Sequence, residues 1–179
     1  MEAGADVNAE PNAYGGGCTA LGLAATSFHP ERAGVQEALR QILLDYGAVM
    51  DEPGVGGNGY TAVESCLWNG RGRAAAFLAA RGAQLNLETA AGTGRKDVAA
   101  SFFSEDGKLK PSATKAQMQR GFLWACEYGC PEVVEFLLEH GADLGDRRER
   151  EKPRCIGRLW AANCPRSSCF WNVAPGWRS

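Results

Sequence analysis

The chain has 179 residues and a mass of 19.1 kDa, which suits one domain with a real hydrophobic core. Hydrophobic residues make up 45%, charged residues 22%, and the formal net charge is −2, so the averaged composition argues against a polybasic nucleic-acid or membrane binder. No apolar run approaches the roughly 20 residues of a membrane-spanning helix, and the N-terminus lacks the features of a signal peptide.

Charge and cysteine usage add two further expectations. Residues 1–144 contain 11 Lys/Arg and 18 Asp/Glu, a net charge of −7, whereas residues 145–179 contain 8 and 3, a net of +5. We therefore expect the two parts to differ in physical character. Seven cysteines cannot all pair internally, and Cys18, Cys66 and Cys126 lie among apolar residues. This usage favours reduced, buried thiols and a cytoplasmic protein.

The first predicted elements follow the pentapeptide GADVN at 4–8. Residues 17–25 read GCTALGLAA, and Thr19 can accept a hydrogen bond at the start of a helix. The run LRQILLDY at 39–46 has apolar residues at three- and four-residue steps, which predicts a helix with one buried face. Gly47 then suits the left-handed position that ends a helix.

A glycine-rich stretch, PGVGGNG at 53–59, contains the spacing G-x-G-x-x-G. A dinucleotide-binding loop needs a preceding strand and an acidic residue about 20 positions further on. Here the stretch follows a helical segment, and Ala79 occupies that later position. We interpret the stretch as a turn.

The same pattern then recurs along the chain. Thr61 can begin a helix that ends near Gly70, and the apolar run 74–81 precedes GAQLN at 82–86. A less regular segment, 87–103, has its turn at Gly94. The last unit has its turn at Gly129, an apolar run at 133–140 and GADL at 141–144.

These units resemble the ankyrin repeat. The resemblance rests on Gly-x-Thr-Ala, on small residue pairs, on the glycine turns and above all on CPEVVEFLLEHGADL at 130–144. It implies an all-α solenoid of stacked helix pairs with β-hairpin-like loops between repeats. The boundaries we expect are repeats at about 15–51, 57–86, 87–105 and 117–144, insertions at 27–38 and 104–117, and a basic tail at 145–179.

Some features depart from the family pattern. The Pro and His usual in the first helix are replaced by Ala62 and Glu64, so the hydrogen bonding of that His is absent. The N-terminus starts inside a repeat, which indicates a fragment or a late gene start. After Leu144 the repeat pattern stops, and residues 145–179 are expected to be either disordered or the product of a shifted reading frame.

The sequence offers no reaction centre. His29 lies in a predicted loop, and His140 is expected to cap a helix C-terminus. Cys126 and Cys130 straddle a predicted helix end, and the tail cysteines Cys155, Cys164 and Cys169 are nine and five residues apart with no histidine partner. Zinc sites usually join two tight pairs of Cys or His, so scattered thiols are favoured over a metal site. Glu132, Glu135 and Glu139 follow the solvated side of one helix. We predict no catalytic residue, no metal and no cofactor.

The resemblance implies that a concave surface binds another protein. Aligning the repeat turns places several aromatic residues on the exposed side, where Trp and Tyr commonly dominate binding. The alternative is that Trp68 and Trp124 pack on the two insertions. The candidate partner-binding residues are Tyr60, Trp68, Trp124 and Tyr128, with Asn58, Asn69 and Arg71 as a polar rim.

Three functions follow as hypotheses. The first is a monomeric, non-catalytic protein-interaction module. The second is a regulatory or substrate-docking part of a larger multidomain enzyme. A nucleic-acid binder acting through the basic tail is less favoured, because only Arg147, Arg148 and Arg150 are clustered there.

Overall fold

The computed structural model describes residues 4–10, 18–57 and 59–143, and these residues form helices and turns without a strand. Two isolated β-bridges join Cys18 to Gly56 and Phe103 to Leu109. The helices are α1 (Ala20–Thr26), α2 (Phe28–Arg32), α3 (Gln36–Asp45), α4 (Ala62–Trp68), α5 (Gly72–Ala80), α6 (Leu87–Gly92), α7 (Lys96–Ala100), α8 (Lys115–Glu127) and α9 (Pro131–Glu139). The predicted all-α class is confirmed. The proposed tail, 145–179, lies outside the described residues.

The helices pack in pairs: α1 with α3, α4 with α5, α6 with α7, and α8 with α9. The predicted runs 39–46, 74–81 and 133–140 largely coincide with α3, α5 and α9. The first helices of the pairs also contact one another in chain order, α1 with α4, α4 with α6, and α6 with α8. Each pair therefore lies beside its neighbours in sequence.

Helix starts and ends follow the predicted chemistry. Thr19 accepts a hydrogen bond from the Gly22 amide, and Thr61 forms a reciprocal capping box with Glu64. At the helix ends, Gly47, Gly82 and Gly141 have φ values of 87°, 91° and 90°. Residues with a Cβ atom rarely adopt this left-handed conformation, whereas glycine adopts it without strain.

The glycine-rich stretch forms turns, as predicted, and it packs between α1 and α4. The Val55 carbonyl accepts a hydrogen bond from the Thr19 amide (3.2 Å), and a Cβ at Gly22 would collide with that carbonyl. On the other side the Ser65 hydroxyl donates to the Gly56 carbonyl (2.8 Å), and a Cβ at Gly56 would collide with that hydroxyl. The glycines thus permit close packing between protein segments.

The buried residues form two clusters. The first cluster is built mainly from α1, α3, α4 and α5 and includes Leu21, Leu67 and Leu78. The second cluster is built from α6 to α9 and includes Leu87, Phe122 and Leu137. Buried Trp124 of α8 belongs to the first cluster, half-buried Tyr128 at the end of α8 packs against it, and half-buried Leu85 packs against both clusters.

Both predicted insertions contain helical residues. The segment 27–38 includes α2, which begins after its Ser27 cap, and also the start of α3. The segment 104–117 forms a turn held by a hydrogen bond from the Ser104 amide to the Lys108 carbonyl (2.9 Å). Its last residues already belong to α8, which begins at Lys115 after a Thr114 capping box.

Candidate functional site

Three of the predicted aromatic residues come together across α4 and α8. The ring of Tyr60 lies 6.1 Å from that of Trp68, and the Trp68 ring lies 5.2 Å from that of Trp124, edge to face. Such edge-to-face contacts stabilise ring pairs beyond the area that they bury. Tyr60 remains 40% exposed and Trp68 is half-buried.

The expectation that Trp124 is exposed is wrong, because its side chain is only 5% accessible. The cause lies on α6, which contacts both α4 and α8. A Cβ at Gly92 would come within 3.1 Å of the Trp124 Cβ and 3.0 Å of a Leu67 methyl carbon. Since Gly92 leaves this space free, Trp124 packs into the first cluster and meets Trp68.

The side chain of Tyr128 also packs against neighbouring helices and is not fully exposed. Its hydroxyl donates a hydrogen bond to the Leu67 carbonyl, and its ring fills the space beside Gly72. The residue is half-buried, and burial raises the pKa of its phenol. Tyr128 therefore connects the end of α8 to the α4–α5 pair.

The three residues of the predicted polar rim do not form one group in the structure. Arg71 forms an ion pair with Glu31 (Nη1–Oε2, 2.6 Å) and donates through Nε to the Thr26 carbonyl (3.3 Å). Arg71 thereby holds α2 in place. Asn69 is exposed and donates to the Ser65 carbonyl (2.8 Å). Asn58 lies outside the described residues.

Two residues of α8 were missed by the sequence analysis. The Arg120 guanidinium lies 5.5 Å from the centre of the Trp68 ring and forms an ion pair with buried Glu88 (Nη1–Oε2, 3.0 Å). Leu123 is 43% exposed. Ala116, Arg120, Leu123 and Glu127 recur at four-, three- and four-residue steps, which is the signal that could have identified this outer side of α8.

We call the resulting set the α4–α8 surface. It combines an exposed phenol, an indole edge, an aliphatic side chain and two polar groups, and it offers no nucleophile paired with a base. Its members are Tyr60, Trp68, Asn69, Arg120 and Leu123.

A polar groove lies beside this surface, and its two carboxylates accept hydrogen bonds from neighbouring groups of the chain. Asp51 accepts a hydrogen bond from the Gln84 amide (2.8 Å), and Glu64 accepts from Thr61 N (2.9 Å) and Asn86 Nδ2 (3.2 Å). Across residues 4–10, 18–57 and 59–143, no group of three or more His, Cys, Asp or Glu side chains could hold a metal ion.

The other residues considered as catalytic or metal-binding candidates lie at a helix end, in the core or on an exposed helix face. His140 ends α9, as predicted, and its Nδ1 lies 2.7 Å from the Phe136 carbonyl oxygen. Cys18 and Cys66 are buried free thiols, as predicted. The side chain of Cys126 is only half-buried, whereas the sequence analysis predicts a buried thiol. The three glutamates of α9 are exposed, as expected.

Comparison with known proteins relates the last helix pair to a known family. In the described part of the chain, no helix is both long and apolar enough to cross a membrane. A search of curated proteins finds no match to the chain. Residues 119–146 match the ankyrin repeat family, covering most of α8 and all of α9. This match confirms the predicted resemblance: residues 119–146 are similar to an ankyrin repeat.

Proposed function

We propose that the chain is a non-catalytic protein-interaction module that binds its partner on the α4–α8 surface. The observation that carries this proposal is the contact of the Trp68 ring with Tyr60, which precedes α4, and with Arg120 of α8, in a chain with a match to the ankyrin repeat. Ankyrin repeats typically mediate protein–protein interactions. Tyr and Trp are also enriched among the residues that dominate binding energy.

The architecture that we propose is an ankyrin-type solenoid. The contacts of α1 with α4, α4 with α6 and α6 with α8 support a continuous stack. A hairpin-like loop is supported by hydrogen bonds from the Gly54 and Gly56 amides to the Tyr60 carbonyl and from the Ala62 amide to the Met50 carbonyl. The repeats would span about 15–51, 57–86, 87–105 and 117–144, in a cytoplasmic monomer.

The surface divides recognition between apolar and polar groups. Tyr60 and Leu123 are 40% and 43% exposed, so a partner can bury them further. The guanidinium of Arg120 is held beside Trp68 by buried Glu88, so little side-chain entropy is lost when it binds a carboxylate or carbonyl. A partner with an aliphatic or aromatic anchor and an adjacent acceptor fits this arrangement.

The test uses exposed residues, because truncating Trp68 or Trp124 would damage the core. We would compare affinity capture by wild type and by a Tyr60→Ala, Leu123→Ala double variant, with quantitative mass spectrometry of the bound proteins. Tyr46→Ala is the matched control, since Tyr46, which directly follows α3, is 54% exposed. We expect the double variant alone to lose partners. Equal recovery by the double variant and wild type would exclude this surface.

A further inference from the structure

Backbone amides at three equivalent places of the chain are each bound by a side-chain oxygen. Each amide belongs to the second residue after the glycine that follows α3, α5 or α9. The three bonds run from the Val49 amide to Asn8 Oδ1 (2.9 Å), from the Gln84 amide to Asp51 Oδ1 (2.8 Å) and from the Asp143 amide to Gln119 Oε1 (3.0 Å). The same local requirement is therefore met by three different side chains.

Two of these side chains are amides, which donate as well as accept. Asn8 Nδ2 donates to the Gly47 carbonyl (3.1 Å), and Gln119 Nε2 donates to the Asp143 carbonyl. The third side chain is the carboxylate of Asp51, which has no N–H to donate. Asp51 ends the segment 47–51 just as Asn8 ends the segment 4–8, so a carboxylate stands where the equivalent position has an amide.

This exchange leaves acceptors without a donor beside Asp51. The Gly82 carbonyl is the counterpart of the Gly47 carbonyl, and it accepts no hydrogen bond from the described residues. Asp51 Oδ2 takes the place of the Asn8 amide nitrogen, and within the same ranges it has no hydrogen-bond partner. Because both atoms are acceptors that face the same space, a bound cation that donates to both is favoured.

These acceptors border the polar groove described above, which encloses about 240 Å³. Its second carboxylate is Glu64, which accepts from Asn86 Nδ2 (3.2 Å). Asp51 and Glu64 thus bind Gln84 and Asn86, which are at most roughly 7 Å of chain apart, so both carboxylates line one wall. Neither carboxylate forms an ion pair with a described residue. The groove therefore carries negative charge that the described chain does not balance.

The groove and the α4–α8 surface lie on the same side of α4. Glu64 is four residues after Tyr60 and four before Trp68, and residues four apart are neighbours on a helix surface. The rings of Tyr60 and Trp68 are also in contact, with centres 6.1 Å apart. A partner segment bound on these rings therefore passes beside the two carboxylates.

We propose that the partner of the α4–α8 surface inserts an arginine side chain into this groove. Its guanidinium would pair with Asp51 and Glu64 and donate to the Gly82 carbonyl. A guanidinium has five N–H donors in a rigid fork, so one side chain can serve several fixed oxygens at once. This inference rests on the function proposed above, and its test separates the two.

The test measures binding of N-acetyl-arginine amide to the full chain by two-dimensional NMR, with the Gln84 and Asn86 amides as reporters. We expect saturable shifts of these signals. N-acetyl-citrulline amide, a neutral analogue of similar shape, should bind at least about tenfold more weakly, because it lacks the charge that strengthens the hydrogen bonds. Asp51→Asn should weaken arginine binding by about tenfold or more. This variant should stay folded, because an asparagine can still accept from Gln84 and can donate to Gly82, as Asn8 does at its own site.

Asp45→Asn is the matched control, because it removes the same charge from an exposed position of α3 and should leave binding unchanged. Glu64→Gln should weaken binding as Asp51→Asn does, since a glutamine keeps the capping box with Thr61 but loses the charge. Equal binding of the arginine and citrulline compounds, or binding indifferent to Asp51→Asn and Glu64→Gln, overturns the proposal. Tighter binding of Nα-acetyl-lysine amide overturns it in favour of a lysine.

Affinity capture then distinguishes this proposal from the proposed function. We expect Asp51→Asn to lose the same partners as the Tyr60→Ala, Leu123→Ala double variant. If only the double variant loses partners, the α4–α8 surface stands and the arginine site is wrong. If the double variant keeps every partner, the proposed function fails, and the NMR titration alone decides whether the groove binds arginine.

Discussion

At the scale of single residues, Arg40 occupies a core position and forms no ion pair with any described residue. Its side chain is 1% exposed, and its Nε and Nη1 have no hydrogen-bond partner within the described part of the chain. Burial lowers the pKa of the guanidinium. The corresponding residues of α5 and α9, seven before their glycines, are Ala75 and Val134. Contact with the Phe77 ring offsets only part of the desolvation cost.

We therefore predict that Arg40→Met raises the free energy of unfolding by about 1 kcal/mol or more, because it removes an unpaired buried charge while filling similar volume. Urea unfolding followed by circular dichroism measures the change. Arg71→Met is the control, and we expect it to lower stability, since Arg71 is paired with Glu31. A loss of stability in Arg40→Met would mean that the ring contact outweighs desolvation.

Cys66 gives the chain an alkaline sensitivity. Burial raises the pKa of its thiol to about 12, whereas an exposed thiol titrates near 8.5. The unfolded chain therefore loses this proton first, so its contribution to stability is complete below about pH 8.5 and declines as pH rises towards 12. We predict a free energy of unfolding that falls between pH 8 and 10, with a smaller fall in Cys66→Ala. Identical pH profiles would contradict this.

At the scale of elements, Gly121 sets the approach of α6 and α8. A Cβ there would lie 2.9 Å from the Ala91 Cβ and 3.0 Å from the Glu88 Cα. Alanine normally stabilises a helix interior by about 1 kcal/mol relative to glycine. We predict the opposite sign here: Gly121→Ala lowers the free energy of unfolding by about 1–3 kcal/mol through overpacking.

Thermal and urea unfolding of Gly121→Ala measure this effect. Leu123→Ala, on the exposed side of the same helix, should change stability by less than about 0.5 kcal/mol. A Gly121→Ala chain as stable as wild type would show that α6 and α8 can separate at little cost.

The helices themselves were largely predictable from the sequence, because their signals are local. Apolar steps of three and four residues located α3, α5 and α9, and Thr19 and Thr61 marked two helix starts. Helix α2 was missed, since Pro30 lies within its five residues. Pro suits the first turn of a helix, yet a short segment containing it also reads as a loop.

The candidate site was less predictable, because it depends on contacts between distant helices. The burial of Trp124 follows from Gly92 on α6, and the role of Arg71 follows from Glu31 on α2. Neither relation has a local sequence signal. Aligning repeat turns placed Trp124 correctly along α8 but could not show which neighbour would cover it.

At the scale of the whole molecule, Trp124 joins two hydrophobic clusters. It is a buried residue of α8, yet it packs with the cluster built from α1, α3, α4 and α5. We predict that Trp124→Ala costs about 3–5 kcal/mol and uncouples the two parts, because the cavity lies where they meet. Hydrogen exchange should then show that α6–α9 open separately from α1–α5.

Phe103→Ala serves as the comparison, since Phe103 lies within the second cluster. It should lower stability while α1–α9 continue to exchange as one cooperative unit. If Trp124→Ala also keeps a single transition, the contacts of Leu85 and Tyr128 suffice to couple the clusters.

The edge-to-face indole pair of Trp68 and Trp124 has an optical consequence. Two indoles fixed 5.2 Å apart at an interplanar angle of 83° couple their electronic transitions, and a chiral arrangement of this kind produces a paired positive and negative band in circular dichroism. That band depends on α4 and α8 keeping their mutual placement. The difference spectrum between wild type and Trp68→Phe would therefore report, without any label, whether the two halves of the molecule remain in register.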